Sequence, residues 1–361
     1  MKYPIGAAAV LGVLIVVTGC YHQDDNNLLE APPVGTIRVV HALGDGPVLR
    51  FSSNLAVIAT LDYAQSSPVV IASPGDIRVD VTFADPATLG QTPLISDVSL
   101  TLTEDRLVTL IVHGSFAVPQ TMIIDAVLND LDATADEIEL RYANAAQDSV
   151  DIYLTDADEL LANVSPSQTL AGGAFSDSIV ATASDNYRLR VTRENDATVV
   201  YDSGTFVIQA EGRRDFTVVE SFGPRADALR AIIAAEVAVL ESPNQVDTAE
   251  MRSFNAVADE VSIDVDITDQ ATAGNIASDT VLFGDLSAFT EFTPVDVTAA
   301  YGVASNPGNV AFQLDLESAP TVFYTFVATG SQANQTLTGD FVASSDMRPT
   351  ETVARVHFVH A

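Results

Sequence analysis

The sequence predicts an all-β chain of three tandem antiparallel β-sandwiches, each about 105 residues long, within its 361 residues. Three observations carry the prediction. A motif recurs at that period. The segments between its copies alternate side-chain character with period two. Turn-forming residues interrupt them roughly every 8–12 positions, as in an antiparallel sandwich.

Four segments define the repeat: TIRVVHA (36–42), ELRYANA (139–145), EMRSFNA (250–256) and VHFVHA (356–361). Each is an apolar run ending in His-Ala or Asn-Ala, and the terminal alanines Ala42, Ala145, Ala256 and Ala361 lie 103, 111 and 105 residues apart. A second mark, VTLIVHGS, FTVVESFG and YTFVATGS, places Thr109, Thr217 and Thr325 at two intervals of 108. QTMIIDAV (120–127) and QTLTGDFV (335–342) follow the first and third of these, whereas the middle copy carries ALRAIIAAEVAVLE (228–241). That alanine-rich stretch is the one segment that could form a short helix.

Within each copy IRVDVTFA (77–84) and YRLRVTRE (187–194) alternate as half-buried strands do. SPGD (73–76), ASDN (183–186) and SNPGN (305–309) read as turns. Long helical stretches between strands are missing, which disfavours an α/β fold. The chain has no tryptophan and one cysteine, so an antibody-type domain is excluded and a generic sandwich of the Ig/transthyretin-like kind is expected. The domains are placed at 34–130, 136–242 and 247–346. Their short polar linkers suggest beads on a semi-stiff string, free to move relative to one another.

Apolar residues make up 47% of the chain, enough for true cores. The net charge is −33, from 34 Asp and 15 Glu against 15 Arg and a single lysine, Lys2. Nucleic acid is excluded as a partner, because phosphate binding needs clustered cations. A strongly hydrated surface is the plainer meaning of the charge, and cation capture the alternative.

The first twenty residues, MKYPIGAAAVLGVLIVVTGC, join a positive n-region to an apolar run from Ile5 to Val17, then Thr18, Gly19 and Cys20. The run is short for a membrane span and suits a signal peptide over 1–19. V-T-G-C resembles the lipobox of bacterial lipoproteins, which implies cleavage before Cys20 and acylation of its thiol. Acyl chains would then hold the protein on a membrane. With Tyr21 rather than an aspartate next, the resemblance points to the outer membrane of a bacterial envelope. Residues 20–33, polar and Pro-containing, read as a tether. At the other end ARVHFVHA (354–361) registers against IRVVHA, so 351–361 is expected to be the opening strand of a partial fourth repeat. It would either lead into a longer array or pair with the edge of copy three.

IRVVHALGDGP followed by LDYAQSSPVVIASPGDIRVDVTFA resembles the domain of unknown function 4397 family of bacterial envelope proteins. The resemblance rests on Arg38, His41, Ala42, Asp45, Pro47, Tyr63, Pro74 and Gly75 in copy one. Copy two keeps Arg141, Ala145, Asp148 and Asp151, and Asn144 replaces the histidine. Copy three is more divergent and has Asn255 there. The family implies a β-sandwich repeat and export, and it supplies no catalytic residues.

Three features could carry chemistry. Asp130, Asp132 and Asp136 in the first linker alternate as oxygen ligands for calcium could. The EF-hand glycine and distal glutamate are replaced by Ala135 and Arg141, and a solvated linker is the plainer reading. VDIYLTDADE (150–159) and SIDVDITDQ (262–270) cluster carboxylates, and Asp264 and Asp266 share a strand face. An acid/base pair would need one of them in an apolar pocket. His41 and His113 could meet only if their strands are neighbours, and a zinc site needs three or four ligands. No G-x-S-x-G elbow or Gly-rich phosphate loop occurs.

The expectation is therefore a non-enzymatic cell-envelope lipoprotein with a structural or binding role and no cofactor beyond calcium. It would contact envelope proteins, glycans or surfaces. A calcium-stiffened adhesin and an envelope hydrolase with an unrecognised site are the alternatives.

Overall fold

The computed structural model describes residues 33–344, apart from 55, 89, 223, 225–227, 241–243, 304, 305 and 307. The expected leader, Cys20 and the expected fourth-repeat segment 351–361 lie outside these. Among the described residues the only helices are two 3-10 turns of three residues, Ala133–Ala135 and Leu161–Asn163. None is long and apolar enough to cross a membrane. Six sheets pack in pairs around three hydrophobic cores.

In the first pair β1 (Gly35–His41), β4 (Gln65–Ser66), β5 (Val70–Ala72), β8 (Arg106–Ser115) and β9 (Val118–Val127) form one sheet, ordered β4-β1-β8-β9 with β5 also on β1. The facing sheet is β3-β2-β6-β7, from β2 (Leu49–Ser53), β3 (Ala56–Leu61), β6 (Gly75–Ala84) and β7 (Gln91–Leu102). The second pair repeats the plan. Its strands are β10 (Glu137–Asn144), β11 (Val150–Asp156), β12 (Gln168–Leu170), β13 (Ala174–Phe175), β14 (Ile179–Thr182), β15 (Ser184–Arg193), β16 (Val199–Ile208), β17 (Arg213–Glu220), β18 (Leu229–Ala234) and β19 (Val239–Leu240). They form sheets β13-β10-β17-β18-β19, with β14 also on β10, and β12-β11-β15-β16. The third pair has β20 (Ala249–Val257), β21 (Ser262–Asp269), β22 (Asn275–Leu282), β23 (Thr290–Phe292), β24 (Asp296–Val303), β25 (Val310–Glu317), β26 (Phe323–Gly330) and β27 (Thr338–Ser344). Its sheets are β23-β20-β26-β27 and β22-β21-β24-β25.

The all-β sandwich architecture is as the alternation predicts, with one added feature. Each opening strand lies parallel to a late strand, β1 on β8, β10 on β17 and β20 on β26, while the remaining pairings are antiparallel. The opening strand is thus central in its sheet and can be covered on both faces. This explains why TIRVVHA is almost continuously apolar instead of alternating.

The pairing also corrects the sequence register. His41, Asn144 and Asn255 pair with Val112, Val218 and Ala328, so Arg38, Arg141 and Arg252 face Thr109, Asp215 and Thr325. The position of Thr109 is therefore held in the second sandwich by Asp215, two residues before Thr217. Gln120 lies opposite His113 in β9, whereas Gln335 sits in the turn before β27, so their match is not structural.

The segment 228–241 is not a helix. Leu229–Ala234 is the strand beside β17, in the place β9 and β27 take in the other sandwiches, and Val239–Leu240 folds back on it. Alanine favours a helix locally, but Leu229, Ile232 and Ile233 are all buried in the strand. Their burial on the two faces of a sheet outweighs a propensity difference of a few tenths of a kcal/mol per residue.

Candidate functional site

The outer face of the β1–β8–β9 sheet carries Arg38, Val40, Ala42, Thr109, Ile111, His113, Met122 and Ile124, because paired residues project to the same side. The matching face of the second sandwich carries Arg141, Ala143, Asp215, Thr217, Val219 and Ile232. These two faces form one buried cluster with Tyr63 and Ala145. The first two sandwiches therefore pack on each other across an apolar face and are not separate beads. Polar linkers gave no sign of this, because the apolar residues that make the junction come from strands far apart in sequence.

Polar contacts tie the edges. The Tyr63 hydroxyl donates to the Glu220 carbonyl at 2.5 Å. Its ring meets Phe222 edge to face at 5.5 Å, and Phe222 packs so closely on Gly44 that a Cβ there would lie 2.6 Å from the ring. The β18–β19 turn reaches back to the first sandwich. Val69 N–H donates to the Glu236 carbonyl at 2.9 Å, and a nitrogen of Arg38 donates to the Ala235 carbonyl.

Inside this junction lies a buried charge cluster. Asp215 accepts from Arg141 Nε through Oδ1 at 2.5 Å and from Arg38 through Oδ2. Arg38 and Arg141 are only 2% and 5% exposed. Burial holds the Arg38 guanidinium below its ordinary pKa, with Asp215 opposing that shift. Arg38 Nε and Arg141 NH1 are buried and have no hydrogen-bond partner. Burial also acts against Arg213, but Glu236 and Glu139 outweigh it and raise its pKa. A cavity of ≈ 290 Å³ opens beside the cluster, lined by Arg38, Arg141, Arg213, Asp215 and Glu236 on its polar side. Val69, Ile71, Leu107, Leu128 and Val237 supply its apolar walls.

The predicted sites are placed differently. Asp132 caps the 133–135 turn, its Oδ1 accepting from Thr134 N and Oγ1 at 2.8 and 2.7 Å, while Asp136 ends the turn in the left-handed conformation. Asp130, Asp132 and Asp136 are not gathered. Among the described residues no three His, Cys, Asp or Glu side chains are arranged to hold a metal ion. Asp264 and Asp266 do share an exposed face and accept from Thr280 Oγ1 and Ser278 Oγ at 2.7 and 2.6 Å. Neither lies in an apolar pocket.

The strands of His41 and His113 are neighbours, yet the two rings lie on opposite faces, since His41 pairs with Val112. His41 is fully buried toward the core. Its Nδ1 accepts from Leu43 N–H at 3.2 Å, so its Nε2 donates to the Pro47 carbonyl at 2.8 Å. Asn144 and Asn255 repeat the device, accepting from the N–H two residues on and donating to the carbonyls of Leu170 and Val281. The His-Ala and Asn-Ala endings thus fasten the turn after each opening strand. His113 faces the second sandwich, 3.4 Å from where a Cβ on Gly173 would sit, and burial lowers its pKa. The functional residues that sequence reasoning missed are Arg38, Arg141 and Asp215. The recurring arginine was a visible signal, but its acidic partner was hidden by the two-residue shift.

The Bacillus anthracis TIE protein matches at 7% identity and TM-score 0.20, over 83% of this chain and 50% of its own. This chain therefore spans half the length of that protein. A Bacteroides uniformis "putative cell adhesion protein" matches at 11% identity and TM-score 0.26, over 58% of this chain and 97% of its own. A Bacteroides fragilis protein of the same description matches at 12% and 0.21, over 86% and 98%. Nothing about activity follows from likenesses at these scores. No curated protein matches the chain. Residues 35–155, the whole first sandwich and the opening of the second, match the family described as Domain of unknown function (DUF4397).

Proposed function

We propose that the chain is a non-catalytic binding or structural module of a bacterial envelope, exported by its leader and lipid-anchored through Cys20. Its three sandwiches are tandem copies of one domain type. The observation that carries the reading is the buried apolar junction between the first two sandwiches. It makes them a single stiff body, which suits a spacer or a platform for a partner. The common strand order, the opening-strand arginines and the His/Asn fastening support the copies' kinship. Several exposed carboxylates, among them Asp132, Asp259 and Asp264, cap turns or bond across a strand face, which supports a hydrated surface as the meaning of the net charge.

Expression with an alkyne-tagged fatty acid tests the anchor. The wild type is expected to take up label and sediment with outer membranes, and Cys20→Ala to lose both. An unlabelled wild type would overturn the anchor. Turnover of chromogenic esters, glycosides or phosphates by pure protein, above a heat-denatured control, would overturn the non-catalytic part.

A further inference from the structure

The junction cavity combines features that the structural role of the interface does not need. Most buried polar groups are hydrogen-bonded. Here two guanidiniums share one carboxylate, and each keeps one buried nitrogen without an acceptor. Both side chains line a cavity whose other walls are Val69, Leu107 and Leu128. Ile71 and Val237, 69% and 87% exposed, stand at its rim and mark the side open to solvent.

We infer that this cavity is a binding site for a small organic monocarboxylate, its carboxylate received by Arg38 and Arg141 and its hydrocarbon body lying along Val69, Leu107 and Leu128. The inference deepens the binding reading above by naming a ligand class. Three arguments fix that class. The planar guanidinium fork matches a two-oxygen acceptor, and charge-assisted bonds of this kind are roughly twice as strong as neutral ones. The charged side chains that line the cavity, the three cations Arg38, Arg141 and Arg213 against the two carboxylates Asp215 and Glu236, carry one net positive charge. A monoanion therefore matches the surplus, while a doubly charged phosphate would crowd Asp215 and Glu236. The apolar walls select a hydrocarbon body, and ≈ 290 Å³ stands at the lower edge of ligand pockets, roughly 300 Å³.

Calorimetry of the full chain with hexanoate, hexanamide and 1-hexanol tests the site. Methyl shifts of Leu107 and Leu128 would report where each probe binds. Hexanoate is expected to bind at least tenfold more tightly than either neutral probe and to shift those methyls. Val237→Trp, a change at an exposed rim position, is expected to weaken hexanoate at least tenfold while leaving circular dichroism unchanged. Arg141→Lys keeps the charge but removes the fork, and is expected to weaken it similarly. Three results would overturn the site: no hexanoate binding at millimolar concentration, equal binding of 1-hexanol, or undiminished binding by Val237→Trp. None of them bears on the lipid anchor, which the fatty-acid labelling tests separately.

Discussion

Asp215→Thr is the sharpest test of the junction, because threonine stands at the equivalent position in the other two sandwiches, as Thr109 and Thr325. In the third sandwich Arg252 Nε donates to Thr325 Oγ1 at 3.1 Å and its guanidinium lies 4.4 Å from the Phe289 ring centre. Arg252 is partly exposed, so water can solvate the rest of its charge. Arg38 and Arg141 have no such recourse at 2% and 5% exposure. Threonine would keep one hydrogen bond to Arg141 but leave two buried guanidiniums side by side without a carboxylate bonded between them. Removing one partner of a buried ion pair costs about 3–5 kcal/mol. At roughly 1.4 kcal/mol per decade, 3 kcal/mol speeds opening-limited amide exchange more than 100-fold. Native-state hydrogen exchange of the full chain, read at 139–144 and 213–220, should show this acceleration while 262–269 in the third sandwich stays unchanged. The effect should persist at high salt, since buried pairs are poorly screened. Replacing all three charges together, with Arg38→Met, Asp215→Leu and Arg141→Met, is expected to restore most of the protection. An acceleration below threefold for Asp215→Thr would refute the claim that the carboxylate holds the junction.

Further predictions concern the fastenings and pH. His41→Ala should destabilise the first sandwich by about 2–4 kcal/mol, since it orphans the Leu43 N–H and the Pro47 carbonyl. His41→Asn should cost less than half as much, because asparagine does the same work at positions 144 and 255; urea unfolding of both variants decides. His113 has a lowered folded pKa, so the unfolded chain takes up its proton first, near 6.5, as pH falls. Junction stability should therefore be full above that value and decline below it, and His113→Gln should flatten this part of the pH profile. Asp259 is held down to about 2 by the Ala333 N–H, the Ser331 hydroxyl and the Gln332 N–H. Its tether on the 331–336 turn should hold above the ordinary value of 3.8 and be lost only as pH falls toward about 2. A carboxyl titration by nuclear magnetic resonance with a midpoint near 4 would contradict this.

What the chain determined unaided is local. Side-chain alternation in IRVDVTFA and the punctuation at SPGD are written at the scale of neighbouring residues, so strands and turns were legible. The repeat was legible because each opening strand is central in its sheet, buried on both faces in the first two sandwiches, and ends in a side chain that fastens its turn. His41, Asn144 and Asn255 all accept from the N–H two residues on, while their donated bonds reach different carbonyls. Calcium ligation in the 130–136 linker looked plausible because spacing shows which residue types are near, but not which way Asp132 turns. Only the tertiary structure decided that ALRAIIAA is a strand, since its partner β17 is close in sequence but its burial comes from two packed faces. It also decided that Asp215, not Thr217, stands in the register of Thr109. That choice depends on hydrogen bonds to a strand about seventy residues away, and a two-residue shift leaves every side chain on its original face. The sequence therefore could not announce the shift that brings Asp215 between Arg38 and Arg141, because pairing of distant strands is fixed by the total burial of whole faces.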